Sequence, residues 1–354
     1  MAHIFRWESM KNAASPSHFR KAILLLVLLL YPFEQGFAAR ERPWAPVPHP
    51  AEVTVIAHLP EGSDWHDVVK VTDGFILQRA PKDGAVSLIK VDRAGQAHPF
   101  PMTQQVKDML DAPSALARAD DRAIWVVNAR PSAQPFLLKL DAETGALQSR
   151  FDASPDVYDG TSRFIAIAAH GPMIYLADEG DAALVTYDLE KKTWRRFFTH
   201  YPAMLGQRPM NIGGQEVRAT DGRPLQRNVS HLALQRDGAW LYLQTPTGPL
   251  YRLKTELLRD PDFTPVELME SLTEWRRTPT IGGLTIGPDN ALYLIDRSEG
   301  RLLSFDAGRN PFMQLADQRL VDAQTPYADP ITNEIYVAAG ADLLRVTPHQ
   351  GTPP

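Results

Sequence analysis

The sequence predicts an all-β fold, a six-bladed β-propeller whose N-terminal strand closes the last blade. A β-rich motif recurs along the chain at a period of about 45–65 residues, which is typical of propeller blades. An isolated strand precedes the first copy of the motif, and the last copy is short of strands. The 30 prolines and 22 glycines suit many tight turns better than long helices.

Each copy of the motif has a short apolar stretch, a polar turn and an alternating run that ends in a polar residue, and the copy from Ala328 matches more loosely. A further strand-like segment follows each copy, so every repeat has the elements of one antiparallel blade. The copies are VVKVTDGFILQ from Val68, ALARADDRAIWVVN from Ala115, IAIAAHGPMIYLAD from Ile165, LALQRDGAWLYLQ from Leu232, LTIGPDNALYLID from Leu284 and ADPITNEIYVAAG from Ala328. Six copies predict six blades over residues 53–348, with residues 349–354 as a tail.

Closure of the ring is predicted from the two ends of the repeat region. Val53–His58 alternates like a strand but stands alone, and the last copy near Ile335–Val346 lacks a full set of strands. Pairing the two segments would complete the sixth blade and remove an open edge.

The N-terminus has the features of a secretory signal peptide over residues 1–38. Arg20 and Lys21 precede the apolar run Ala22–Leu30, and Gly36 and Ala38 are small residues at the cleavage positions. The apolar run is shorter than the ~20 residues that span a bilayer. We therefore expect a secreted or periplasmic protein without a stable membrane span, although an uncleaved anchor and a start at Met10 stay open. Residues 39–52, rich in proline, are predicted to form a linker.

Composition excludes several classes of function. The net charge of −5 leaves no basic surface typical of nucleic-acid binding. Without cysteine, neither disulfide bonds nor thiol catalysis is available. No glycine-rich phosphate loop or G-x-S-x-G nucleophile turn is present. We expect a monomer with no cofactor, and the sequence leaves open whether it catalyses a reaction.

Two long connections interrupt the repeat. His200–Asn228 contains Gly213-Gly214, a turn signal that predicts a hairpin. Lys254–Thr278 contains apolar residues at helical spacing behind Thr264 and Pro265, which predicts a short helix at the perimeter.

Three segments of the chain resemble the bacterial branch of the major royal jelly protein/yellow family. They are IWVVNARPSAQPFLLKLDAETG from Ile124, IYLADEGDAALVTYDLEKKTWRRFFTHYP from Ile174 and LALQRDGAWLYLQTPTGPLYRLKTELLRD from Leu232. The resemblance covers most of Val53–Val346 and implies a secreted six-bladed propeller. It also implies a fold relationship to gluconolactonase-type and strictosidine-synthase-like proteins. It implies small-molecule binding or pigment and developmental roles, not a defined reaction.

A lactonase-type metal site is not supported by the residues at the equivalent positions. The resemblance implies that such relatives hold a divalent cation through carboxylate and amide oxygens at the starts of the inner strands. In this chain Asp67 is the single carboxylate at those positions, and Arg163 stands where an oxygen ligand is expected. A calcium ion needs about six to eight oxygen ligands, and an arginine would repel it. We predict no metal here.

The remaining residues at these positions predict a ligand site at the mouth of the channel. Arg163 could hold a carboxylate or phosphate through paired hydrogen bonds. Asp67 could hold an amine or neutralise Arg163, and a purely structural Asp67–Arg163 ion pair is an open alternative. For His231 a structural role is the alternative. The candidate ligand-binding residues are His66, Asp67, Arg163, Phe164, His231 and Tyr327.

Two functions from different classes follow from this site. The favoured one is a non-enzymatic exported propeller that binds a small anionic or aromatic molecule, or a partner, at the channel mouth. The alternative is a metal-assisted lactonase or hydrolase of the gluconolactonase type.

Overall fold

The computed structural model describes residues 43–60, 65–79, 87–306 and 308–348. The predicted signal peptide, the first residues of the predicted linker and the tail at residues 349–354 lie outside these ranges, so export stays a prediction from the sequence. Within the described ranges, no helix has the length and apolar character needed to cross a bilayer.

The described chain forms six antiparallel blades, each starting at its innermost strand. The N-terminal residues first form β1 (Ala45–Pro46) and β2 (Glu52–His58). Blade 1 then contains β3 (Trp65–Val71), β4 (Gly74–Arg79), β5 (Leu88–Asp92) and β6 (Ala97–Pro99). Blade 2 contains β7 (Pro113–Arg118), β8 (Ala123–Asn128), β9 (Phe136–Asp141) and β10 (Leu147–Asp152). Blade 3 contains β11 (Phe164–His170), β12 (Met173–Asp178), β13 (Ala183–Asp188) and β14 (Thr193–Phe197).

Between blades 3 and 4 lies a hairpin of β15 (Asn211–Ile212) and β16 (Gln215–Glu216). Blade 4 contains β17 (His231–Leu234), β18 (Trp240–Gln244), β19 (Leu250–Lys254) and β20 (Thr273–Arg276). Blade 5 contains β21 (Ile281–Ile286), β22 (Leu292–Asp296), β23 (Arg301–Phe305) and β24 (Pro311–Ala316). Blade 6 contains β25 (Ala323–Ala328), β26 (Ile335–Ala339) and β27 (Asp342–Thr347). The inner strands β3, β7, β11, β17, β21 and β25 contact one another in a closed ring.

The N-terminal strand closes this ring as predicted. Strand β2 pairs antiparallel with β27, from Glu52 opposite Thr347 to His58 opposite Asp342, and supplies the fourth strand of blade 6. Because β2 comes from the start of the chain and β27 from its end, the two termini of the propeller are held in one sheet. The predicted six-bladed propeller is confirmed.

The residues before β2 are bound to blade 5. Strand β1 pairs in parallel with β24, and the Val47 amide donates to the Met313 carbonyl at 3.1 Å. The Trp44 ring lies 4.8 Å from the Phe305 ring, centroid to centroid. Proline is tolerated here because an edge strand needs only one row of backbone hydrogen bonds. Residues 44–58, which include residues 44–52 of the predicted linker, thus form an N-terminal strap that joins blade 5 to blade 6.

The core lies between neighbouring blades. All six residues of β12 are buried, because both faces of a middle strand pack against adjacent blades. Between blades 3 and 4, for example, Leu184 packs with Leu241 and Leu253.

Both predicted features of the long connections are present. Gly213 and Gly214, both with positive φ, form the two-residue turn of the β15–β16 hairpin. In the second connection, helix α2 (Thr255–Arg259) is followed by α3 (Pro265–Ser271); α1 (Gln104–Met109) lies between blades 1 and 2. Helix α3 begins with a capping box in which Thr264 and Glu267 satisfy each other's backbone amides.

Gly145 lets the β9–β10 turn approach the chain that leaves blade 1. Its φ is +66°, and a Cβ atom there would lie 1.5 Å from the Pro101 carbonyl oxygen. We expect Gly145→Ala to lower the unfolding free energy by well over 2 kcal/mol, since the left-handed conformation alone costs about 1–2 kcal/mol and the backbone must also move. Gly171→Ala is the matched control, because Gly171 has φ +54° but faces open space. Urea unfolding measures both variants, and equal losses of unfolding free energy would contradict the role of the Pro101 contact.

Candidate functional site

A cavity of about 400 Å³ lies where the inner strands begin, at one mouth of the channel. Every blade contributes to its lining, and the chain between β14 and β17 adds one wall through Met210 and Arg227. The lining includes His66, Asp67, Ser114, Arg163, Ile165, Met210, Arg227, Ser230, His231, Ile281, Gly282, Arg297, Gln324 and Thr325.

β-Bulges direct several of these residues into the cavity. Five inner strands shift register where they reach the mouth, and the residues at the shifts include Asp67, Ser114, Ile165, Gly282 and Thr325. A bulge leaves one residue unpaired and turns its side chain. Asp67 and Thr325 also have positive φ angles, +43° and +42°, which are uncommon for residues other than glycine. The backbone is therefore strained at the residues that form this cavity.

Three partly buried arginines reach the cavity from blades 3 to 5. Arg163 precedes β11, Arg227 ends the long connection before blade 4, and Arg297 follows β22. Partial burial lowers the pKa of each guanidinium, and repulsion by Arg227 lowers the pKa values of Arg163 and Arg297 further. Guanidinium groups stay protonated in proteins, so this part of the mouth carries concentrated positive charge.

One carboxylate serves two of these arginines. Glu179, whose side chain is 3% exposed, accepts hydrogen bonds from Arg163 and from Arg227, whose Nη2 lies 2.9 Å from Oε2. Arg297 donates its Nε hydrogen to the Val321 carbonyl at 2.8 Å. In the described part of the chain, Arg297 forms no ion pair within 4 Å. The cluster therefore has an excess of positive charge.

Asp67 lies on blade 1, across the ring from blade 4. Its side chain is 6% exposed, and Oδ2 accepts a hydrogen bond from the Leu116 amide at 2.9 Å. The Nδ1 atom of His66 lies 3.6 Å from Oδ2. The alternative of an Asp67–Arg163 ion pair is wrong, because the partner of Arg163 is Glu179.

Ser230 and His231 place two polar atoms in the cavity wall between the arginines. Ser230 Oγ and His231 Nε2 are buried without a hydrogen-bond partner among the described residues. Burial, together with the charges of Arg227 and Arg297, lowers the pKa of His231 to about 3. The imidazole is therefore neutral at pH 7, with one nitrogen that donates and one that accepts. Buried polar atoms without partners are rare, and both belong to residues that line the cavity.

The comparisons with known proteins agree with the fold. Residues 120–294 match the family model described as "Major royal jelly protein". The resemblance to this family is therefore confirmed over these residues. The matched segment runs from the turn between β7 and β8 of blade 2 into β22 of blade 5 and includes Arg163, Arg227 and His231. A search of curated proteins finds no match.

Solved structures with a similar fold include enzymes. A luciferin-regenerating enzyme is 12% identical, with a TM-score of 0.55 over 84% of this chain and 95% of the other. A streptogramin B lyase is 10% identical, with a TM-score of 0.52 over 85% and 98%. Virginiamycin B lyase from Staphylococcus aureus is 11% identical, with a TM-score of 0.51 over 84% and 99%. At such low identity, the likenesses show the fold alone.

The structure brings four of the six sequence-predicted site residues to the cavity: His66, Asp67, Arg163 and His231. Phe164, 1% exposed, instead packs in the core between blades 2 and 3, because successive side chains of a strand point to opposite faces. Tyr327 follows the bulge at Thr325 and packs between blades 1, 2 and 6, where it interacts with Arg118.

Sequence reasoning missed Glu179, Arg227 and Arg297. A signal existed for two of them, because Glu179 and Arg297 directly follow the aspartates that end the second strands of blades 3 and 5. Aligning the ends of those strands could have placed both at the mouth. Arg227 comes from the long connection, which has no counterpart in other blades.

The lining residues do not fit a lactonase-type cation. Asp67 is the one carboxylate of the lining, against three guanidinium groups. Within the described ranges, no three histidine, aspartate or glutamate side chains are grouped so that they could hold a metal ion. A hard cation would need several converging oxygen ligands, and the positive charge would oppose it.

Proposed function

We propose that this propeller is an exported binding protein that holds a small organic anion at the channel mouth. The observation that supports this proposal best is the convergence of Arg163, Arg227 and Arg297 on one cavity, with Glu179 as the shared counter-charge. A ligand carboxylate or phosphate would relieve the repulsion among the guanidinium groups and accept paired hydrogen bonds from them.

The rest of the cavity suits the body of such a ligand. Ser230 Oγ and His231 Nε2 offer further polar contacts beside the arginines. Ile165, Met210 and Ile281 supply apolar surface for a carbon skeleton. A volume of about 400 Å³ is in the range of small-molecule sites. Metal-assisted lactone hydrolysis is the less favoured alternative, because the lining lacks a carboxylate set for the cation.

Arg297→Gln should weaken anion binding without disturbing the fold. Arg297 is the best choice, because Arg163 and Arg227 also neutralise the buried Glu179. A hydrogen bond between charged groups contributes about 1.5–3 kcal/mol, so the dissociation constant should rise about tenfold to a hundredfold. Isothermal titration with benzoate, phenyl phosphate, citrate and gluconate measures the dissociation constants. The affinity for neutral benzamide should be the same in the native and the substituted chain.

The matched control is Arg218→Gln, because Arg218 is exposed near the β15–β16 hairpin and pairs with Glu216. It should leave the affinities unchanged. The proposal fails if none of the four anions binds below about 1 mM, which corresponds to about −4 kcal/mol. It also fails if Arg297→Gln binds them as tightly as the native chain. Repeating the titration with calcium tests the alternative, since a strong gain in affinity or lactone hydrolysis would favour the lactonase.

A further inference from the structure

The cavity is electrically polarised across the ring. The three arginines lie on one side of the ring: Arg163 belongs to blade 3, Arg227 to the connection that enters blade 4, and Arg297 to blade 5. Asp67 comes from blade 1, which lies opposite blade 4 because the inner strands follow one another around a ring of six. A ligand with an anionic group at the arginines therefore directs its other end toward a carboxylate.

The Asp67 carboxylate is held in a fixed orientation at the cavity. The Leu116 amide donates a hydrogen bond to Oδ2. The β-bulge, where the φ of Asp67 is +43°, turns the residue toward the cavity. These two features fix the orientation of the carboxylate. Oδ1 receives no hydrogen bond from the described residues, and no lysine or arginine among them lies within ion-pair distance of Asp67. The nearest nitrogen that could carry charge is His66 Nδ1, at 3.6 Å.

A buried carboxylate without a cation is costly to a protein, since burial removes the water that would solvate the charge. Asp67 is 5% exposed as a residue and still borders the cavity, so its side chain can be reached from there. A ligand ammonium group is the partner that would compensate the charge and donate to Oδ1. An amide or hydroxyl would donate a hydrogen bond but leave the charge uncompensated.

We infer that the ligand is a zwitterion, a small organic acid with an ammonium group at the end far from its acid group. This inference rests on the proposed function, because it assigns the acid group to Arg163, Arg227 and Arg297. The acid group would contact the arginines and the hydroxyl of Ser230. The ammonium group would contact Asp67 across the cavity.

The test compares three rigid acids that differ at one end. They are 4-(aminomethyl)benzoate, 4-(hydroxymethyl)benzoate and 4-methylbenzoate, and 6-aminohexanoate and hexanoate form a flexible pair. The native chain should bind each amine about tenfold or more tightly than its amine-free counterpart, because a charge-assisted hydrogen bond is stronger than a neutral one. Asp67→Asn keeps an oxygen for the Leu116 amide but removes the charge. It should reduce the preference to about twofold or less while 4-methylbenzoate binds as before.

Asp73→Asn is the control, because it removes the same charge from an exposed carboxylate that pairs with Arg93. It should leave the preference intact. An equal affinity for the amine and the alcohol, or a preference that survives Asp67→Asn, would overturn the zwitterion while the anion site stands. The zwitterion would also be overturned if simple anions bound to the native chain and none of the five compounds did. Loss of all anion binding would instead count against the proposed function itself.

Discussion

A chain that begins at residue 59 should fail to form the closed propeller. It lacks β2, so blade 6 has three strands and β27 has an unpaired edge. It also lacks buried Ala51 and Ala57, and Trp44 no longer covers Phe305. An open ring with exposed strand edges and apolar surface is prone to aggregation. Size-exclusion chromatography and near-ultraviolet circular dichroism should show aggregates or a chain without fixed aromatic packing and without a cooperative thermal transition.

A permuted chain separates the loss of this strand from the loss of chain length. Residues 51–58 would follow residue 348 through a short glycine/serine linker. Since Glu52 pairs with Thr347, the moved strand starts beside the end of β27 and should restore the cooperative transition. If the shortened chain unfolded cooperatively at the native temperature, closure by β2 would not be required.

Asp178→Ala should lower the unfolding free energy by about 3–5 kcal/mol, the cost of removing one partner from a buried ion pair. Asp178 is fully buried and accepts hydrogen bonds from Ser162 Oγ at 2.7 Å, from the Arg163 amide at 2.7 Å and from Arg196 Nη1 at 2.9 Å. Its removal leaves the Ser162 and Arg163 donors without this acceptor, and Arg196, whose side chain is 13% exposed, keeps Asp181 as its remaining carboxylate partner. Urea unfolding measures the loss.

Asp152→Ala is the matched control for Asp178→Ala. Asp152 pairs with Arg150 at 2.7 Å, but both side chains are largely exposed, so the expected loss is below about 1 kcal/mol. A similar loss for the two variants would show that the buried network around Asp178 contributes little to stability.

The fold was predictable because each blade repeats a local pattern of apolar runs and turns. The same holds for the hairpin at Gly213-Gly214 and the helix behind Thr264, whose signals lie within a few residues. The binding of the N-terminal strap to blade 5 was not predictable. Its prolines indicate an extended chain, but the contact of Trp44 with Phe305 joins residues that are distant in sequence.

The candidate site was predictable to the extent that inner strands could be located. Arg163 and His231 stand at the starts of apolar runs, and both line the cavity. Tyr327 also stands near such a start but packs in the core, because a one-residue shift at a bulge changes the face on which a side chain lies. Arg227 comes from a connection without a repeat counterpart, so no periodicity located it.

Closure by β2 also sets the order in which this protein can complete the candidate cavity. His58 and Asp342, which pair at one end of β2, are separated by 284 residues in sequence. A growing chain makes β2 first and must keep it unpaired until β27 exists, and such distant pairing is slow to form. The cavity also draws residues from β25 in the final blade. A nascent chain therefore lacks the complete cavity until its last blade is synthesised, and the ring and the cavity are completed together.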